Sequence, residues 1–116
     1  MISAFLGAVF EAIYDWFHPE PIGGAVGARS PSWNRARNEH IQSSPECVAC
    51  GRDQPLEVHH ILPFHVYPSL ELIPENLITL CKDCHFTFGH LRDWTSWNNT
   101  VVADAAEFRK RRDDRP

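Results

Sequence analysis

Residues 1–28 contain no lysine or arginine, although Glu11, Asp15 and Glu20 fall among them. That absence removes the positive n-region a secretory signal needs, and no A-x-A-like cleavage site is present. It also disfavours a basic amphipathic helix held on an anionic membrane surface. The apolar stretch Met1–Phe17 is interrupted by Glu11 and Asp15, and it falls short of the ~20 residues that span a bilayer. The whole chain lacks a basic surplus, with 11 Lys and Arg against 15 Asp and Glu and a net charge of -4. Attachment to a polyanion by global charge is therefore excluded, and any such binding must come from local clusters. Internal repeats and low-complexity tracts are missing as well. With 43% hydrophobic and 22% charged residues, the composition is neither that of a disordered chain nor that of a coiled coil.

What is present fits one small domain with an arm. A core available to 116 residues is modest and often needs a staple or a metal. Ser3, Gly7, Glu11 and Asp15 recur every four positions, with Ile2, Phe5, Leu6, Val9, Ile13, Trp16 and Phe17 filling the opposite face. This is an amphipathic helix pattern, suited to packing on the domain, a homodimer contact or a partner protein rather than a membrane. The Pro- and Gly-rich run His18–Gly27 reads as a linker. Residues 1–28 thus form an arm and residues 29–116 a domain.

Within the domain, Ser30-Pro31 suits an N-cap followed by proline at the first helical position. Trp33 to Ile41 would continue that helix, and Ser43-Ser44-Pro45 ends it. Leu56–Ile61 and Leu77–Leu80 are short strand candidates. Residues 62–76 between them hold Pro63, Pro68 and Pro74, so an irregular connection is expected. His85 should open a helix. Asn98-Asn99-Thr100 should cap a last helix over about 100–112, with Val101, Val102, Ala105 and Phe108 as its apolar face. The predicted class is α+β.

The four cysteines form two CxxC pairs, Cys47/Cys50 and Cys81/Cys84. A secreted protein would join them as disulfides, and an intracellular, cytoplasmic one would bind zinc. The paired spacing favours zinc, because each CxxC turn offers two thiolates to a tetrahedral ion. With all four positions taken by sulfur no place is left for water, so such an ion is structural. The glycine after the second cysteine, Gly51, suits a turn with positive φ.

Between and just after the cysteines lie His59, His60, Asn76, His85 and His90. Alternation along a strand would send His59 and His60 to opposite faces. A strand end or loop relaxes that constraint and lets the pair converge. An imidazole with a pKa near ~6.5 can take a proton from water at neutral pH. A cation held by few protein ligands keeps positions open for phosphate and water.

The segment Val58-His-His-Ile-Leu-Pro63 followed by Glu75-Asn-Leu-Ile-Thr-Leu-Cys-Lys-Asp-Cys-His85 resembles the signature of the HNH (ββα-metal) endonuclease family in its zinc-knuckle form. The resemblance runs from about Cys47 to His90. It implies a ββα-metal core stapled by a four-cysteine zinc site, with flanking helices, and a metal-dependent hydrolysis of DNA phosphodiester bonds. Under it His60 is the general base, and Asn76 bonds backbone and orients the loop carrying that base. His59 and His85 are ligands of one catalytic divalent metal, for which the resemblance favours Mg2+ or Mn2+. An imidazole-rich, carboxylate-poor site also accepts Ni2+ or Zn2+.

His90 departs from that pattern. It lies five residues after His85, and in a regular helix positions i and i+5 point roughly 140° apart. Metal ligation, a phosphate contact and a structural role are all open to it. His65 sits in the Pro-rich loop, where a functional or a passive role is open. His18 and His40 read as surface residues, and Trp94 and Trp97 as core or cap residues rather than stacking platforms. Arg35 and Arg37, and Arg109, Lys110, Arg111 and Arg112, are candidate phosphate contacts or solvated faces. The competing reading is a zinc-knuckle module that binds nucleic acid or protein without catalysis. A disulfide-stapled secreted domain is a third. An adjacent pair of histidines with Asn76 and His85 has no use in a pure binding module.

Overall fold

Two short strands rich in β-branched and aliphatic residues flank a connection broken by three prolines. They pair antiparallel as β1 (Leu56–His60) and β2 (Leu77–Cys81), in register from Leu56 opposite Cys81 to His60 opposite Leu77. In this computed structural model residues 28–115 are described. The expected N-terminal helix, the linker of residues 18–27 and His18 lie outside them. Helix α1 (Trp33–Ser43) precedes the strands. After β2 a single turn, α2 (Lys82–Cys84), passes directly into a π-helical turn, His85–Gly89. Helix α3 (Val101–Asp113) closes the chain. The architecture is small α+β, and among the described residues no helix is long and apolar enough to cross a membrane.

The core gathers around the cysteines. Cys47, Ala49, Ile78, Leu80, Cys81, Cys84, Val101 and Ala105 are buried in one cluster. All five residues of β2 are buried, as expected for a strand covered on both faces. The connection between the strands is irregular, with 3₁₀ turns at Pro68–Leu70 and Pro74–Asn76. Gly51 takes φ +82° at the first cysteine turn, as its position suggested, and donates to the Cys47 carbonyl at 2.9 Å.

Several expectations at helix ends are corrected. The N-cap of α1 is Ser32, not Ser30, and Pro31 lies in the turn before it. Ser30 contributes instead by accepting the Ser32 amide on Oγ at 3.1 Å. Only Val101 and Ala105 of the expected apolar face of α3 are buried, whereas Val102 is exposed. Phe108, also exposed, still packs its ring 5.2 Å from that of Phe88.

The start of α3 is organised by Asn98 rather than by Thr100. Asn98 Oδ1 accepts from Thr100 N at 3.0 Å and from Thr100 Oγ1 at 2.9 Å. Its Nδ2 donates to the Phe88 carbonyl at 2.9 Å and to Asp104 Oδ2 at 2.8 Å. One buried amide therefore joins the π turn to the helix. Asn98→Ala would leave the Phe88 carbonyl and the first turn of α3 without these partners, a loss of about 1–3 kcal/mol. The expected outcome is a clear drop in the thermal midpoint of the zinc-loaded protein with its zinc content unchanged.

Candidate metal centre

Each CxxC turn holds two sulfurs on one short loop, and antiparallel pairing of β1 with β2 brings the two loops together. The Sγ atoms of Cys47, Cys50, Cys81 and Cys84 all lie within 4.8 Å of one another. Cys50 Sγ and Cys81 Sγ are 3.6 Å apart, and all four cysteines are free. A tetrahedron with Zn–S near 2.3 Å has edges of about 3.8 Å, so the cluster fits a tetrathiolate zinc. Amides support it, with Cys50 N donating to Cys47 Sγ at 3.4 Å and Cys84 N to Cys81 Sγ at 3.5 Å. Burial pushes the Cys84 thiol up, and the neighbouring thiols add to that effect. Burial likewise raises Cys50. At Cys47 backbone N–H groups, led by that of Cys50, outweigh burial and bring the thiol to about 7. Thiols this crowded cannot all ionise without a cation among them.

The second cluster is made of histidines. Ligand nitrogens of His59, His85 and His90 also lie within 4.8 Å of one another. His90 Nε2 stands 3.2 Å from His85 Nε2, close to the roughly 3.3 Å expected between nitrogens sharing an ion at 2.0–2.1 Å. The other nitrogens of these two rings are engaged. His85 Nδ1 meets Glu57 Oε1 at 3.0 Å, and His90 Nδ1 meets the Ser96 carbonyl at 2.7 Å. With both Nδ1 atoms donating, two Nε2 lone pairs face each other, an arrangement that a cation or a shared proton relieves. His59 Nε2 is buried with no hydrogen-bond partner among the described residues. The donor set therefore fits a divalent cation.

The π-helical turn explains how His90 reaches this cluster. An i→i+5 helix is wider than an α-helix and brings positions i and i+5 back to one face, so the 140° separation of a regular helix does not apply. Gly89 permits the same convergence: a Cβ there would lie 2.9 Å from His59 Nδ1 and 3.1 Å from His85 Cδ2. Three imidazoles are thus gathered, the third being His90, whose role the sequence left open. The cluster itself stays imidazole-rich and carboxylate-poor, and Glu57, which the sequence reading did not single out, backs His85 from outside. Glu57 lies two residues before His59, so strand alternation places both on one face; that was the signal available in the sequence.

His60 keeps to the opposite face. It remains inside β1 rather than in a relaxed loop, and it is buried. Its Nε2 lies 2.9 Å from the Glu71 carbonyl, and its ring stacks on Trp33 with centroids 4.6 Å apart. If Nε2 donates to that carbonyl, Nδ1 is left as the lone-pair nitrogen. Asn76 is fully buried. It accepts the Leu62 amide at 2.8 Å and donates to the carbonyls of Leu62 and Leu70 at 3.1 and 3.2 Å. It pins both ends of the loop that delivers the Glu71 carbonyl.

Both histidine faces open onto one cavity of about 280 Å³ at the strand end, whose wall includes Arg29, His65, Trp94 and Trp97. Arg35, Arg37, Arg109, Lys110, Arg111 and Arg112 are not part of that wall. Arg109 donates to the Cys47 carbonyl at 3.2 Å and to Glu46 at 2.9 Å, tying α3 to the first cysteine turn. Arg111 pairs with Glu107 at 3.0 Å. The basic group that does reach the cavity is Arg29, with its guanidinium 4.8 Å from the Trp33 ring centroid and 5.1 Å from that of Phe64. The sequence groups Arg29 with Arg35 and Arg37 as one basic stretch, but which of them reaches the cavity is decided by contacts across the fold. Trp94 is corrected from a core or cap residue to a surface one, 58% exposed.

Residues 47–90 match the family model described as HNH endonuclease, a segment somewhat over a third of the chain. No curated protein matches the chain. The matched segment begins at the first cysteine and ends at the last of the three clustered histidines.

Two measurements check this geometry. Outer hydrogen-bond partners of metal-bound histidines typically contribute 10–100-fold to affinity. Glu57→Ala should weaken divalent-cation binding at the histidine cluster by about that factor, and Gly89→Ala should weaken it too, with four-cysteine zinc retained; calorimetric titration of the zinc-loaded protein reads both. The second concerns pH. Burial, then His85 and His90, lowers His59 to about 3, and burial is the main cause lowering His60 and His85. The unfolded chain gains protons on these rings as pH falls below about 6.5, whereas the folded one resists them. Stability should therefore hold above that pH and decline as pH drops toward the folded values, seen as a falling denaturation midpoint.

Proposed function

We propose that this chain is a metal-dependent DNA endonuclease that hydrolyses phosphodiester bonds, with His60 as general base and the cluster of His59, His85 and His90 as the seat of one divalent cation. The observation that carries the reading is the placement of His60 beside that cluster in one cavity, with its Nε2 on the Glu71 carbonyl. A hydrogen bond from Nε2 fixes the tautomer and leaves Nδ1 to take a proton from water. Burial lowers the His60 pKa, which keeps the ring neutral and ready as a base near neutral pH. Trp33, stacked on the ring, holds its plane and can stabilise the imidazolium formed after proton transfer. Asn76 acts one step away by holding the loop backbone.

A divalent cation at the three histidines, Mg2+ or Mn2+ or a later metal such as Ni2+ or Zn2+, would offset phosphate charge and stabilise the 3′ leaving oxygen. Arg29 supplies a second positive charge on the same wall, from a side chain 47% exposed whose ion pair with Glu71 is long, at 3.9 Å. The zinc at the four cysteines has a separate task. It would fix where β1 begins, opposite Cys81, and where β2 gives way to the histidine-bearing turn, with no part in the chemistry.

The purified protein should nick supercoiled plasmid only when a divalent metal is supplied. His60→Ala should lower the rate by about 10²–10⁴-fold while circular dichroism and zinc content stay as in the wild type. Equal cutting by the variant would remove His60 from this role. Binding of DNA with no cutting under any metal would favour the zinc-knuckle binding module instead.

A further inference from the structure

Trp94 is the most exposed of the large apolar side chains among the described residues, and it stands at the wall of the histidine cavity. Its ring centroid lies 4.9 Å from that of His90, 5.4 Å from that of His85 and 4.9 Å from that of Phe86. The turn presenting it is built with care. Leu91 and Arg92 both adopt left-handed backbone, with φ 55° and 65°, a conformation that non-glycine residues enter at a cost. The Asp93 carboxylate then accepts the Thr95 amide at 2.9 Å and the Thr95 hydroxyl at 2.7 Å. The Ser96 carbonyl is held by His90 Nδ1 at 2.7 Å, and Asn98 N donates to the Gly89 carbonyl at 2.9 Å. The indole is therefore fixed relative to the histidines, while much of its surface is left to solvent.

From this arrangement we infer that Trp94 is a stacking platform for an unpaired base next to the phosphate seated at the histidine cluster, so that single-stranded or locally unpaired nucleic acid is preferred over intact duplex. The inference rests on the reading of that cavity as a phosphodiester site. Bases inside a duplex have both faces covered by their neighbours, so only an unstacked base can offer a face to an indole. Stacking on an aromatic side chain needs no particular base, because every base has a π-face. Arg29, on the same wall, meets the phosphate side of such a strand, and its own guanidinium is already backed by the rings of Trp33 and Phe64.

The test is a binding cycle on the zinc-loaded full chain. Three probes are compared: a short single-stranded oligothymidylate, an oligomer of the same length made of abasic sugar-phosphates, and a duplex of that length. The wild type should bind the oligothymidylate most tightly. Trp94→Ala should lose about 5- to 150-fold on it and nothing on the abasic strand, with Trp94→Phe retaining most of the affinity. A merely structural indole would shift both single strands together, and that result, or no change on either, overturns the inference. Plasmid nicking by the wild type is measured alongside. A stacking cycle without nicking sinks the nuclease reading and leaves the platform standing; nicking with a flat cycle does the reverse.

Discussion

Cys47, Cys50, Cys81 and Cys84 come from two turns with residues 51–80 between them, and their sulfurs converge in the centre of the only large buried cluster among the described residues. The rest of the molecule depends on that convergence. It sets β1 against β2, it fixes the point where β2 gives way to the histidine-bearing turn, and it anchors α3 through Arg109 on the Cys47 carbonyl. A core this small gives limited hydrophobic stabilisation, so an ion held at the thiolates would contribute folding free energy directly. The site chemistry inherits its geometry from this clamp.

Beyond the clamp, the two adjacent histidines are separated by the pleat. His59 faces the π turn and joins His85 and His90, whereas His60 faces α1 and the loop that carries Glu71. One strand thus presents the three-histidine cluster on one side and His60 on the other, and the cavity at its end reaches both. The β1 register, set by Leu56 opposite Cys81, decides which ring goes where. A slip of one residue would exchange the two roles.

Glu71 joins the short segment before α1 to the histidine site. Its buried carboxylate accepts the Ser30 amide at 3.1 Å, while its carbonyl lies 2.9 Å from the base candidate. The segment leading into α1 therefore bears on the position of His60, although nothing in its spacing suggested so. The same holds for Arg29, drawn into the cavity by two aromatic rings. The more conspicuous basic runs lie elsewhere, and Arg109 and Arg111 in the C-terminal run are paired with acidic neighbours.

The sequence by itself determined the strand positions, the irregular loop and the four-thiol cluster, because each follows from local spacing and residue chemistry, and the resemblance nominated His59, His60, Asn76 and His85. A CxxC turn presents two sulfurs wherever it occurs, and alternation assigns faces within any strand. Tertiary structure alone decided that His90 joins His59 and His85, since this required a π turn in place of an α turn and a glycine with no Cβ to obstruct the rings. It also decided that Arg29 rather than the C-terminal basic run reaches the cavity, that Asn98 ties the start of α3 to the Phe88 carbonyl, and that Trp94 stands in solvent. Those outcomes depend on distances between segments remote in the chain, and a one-dimensional pattern carries no term for them.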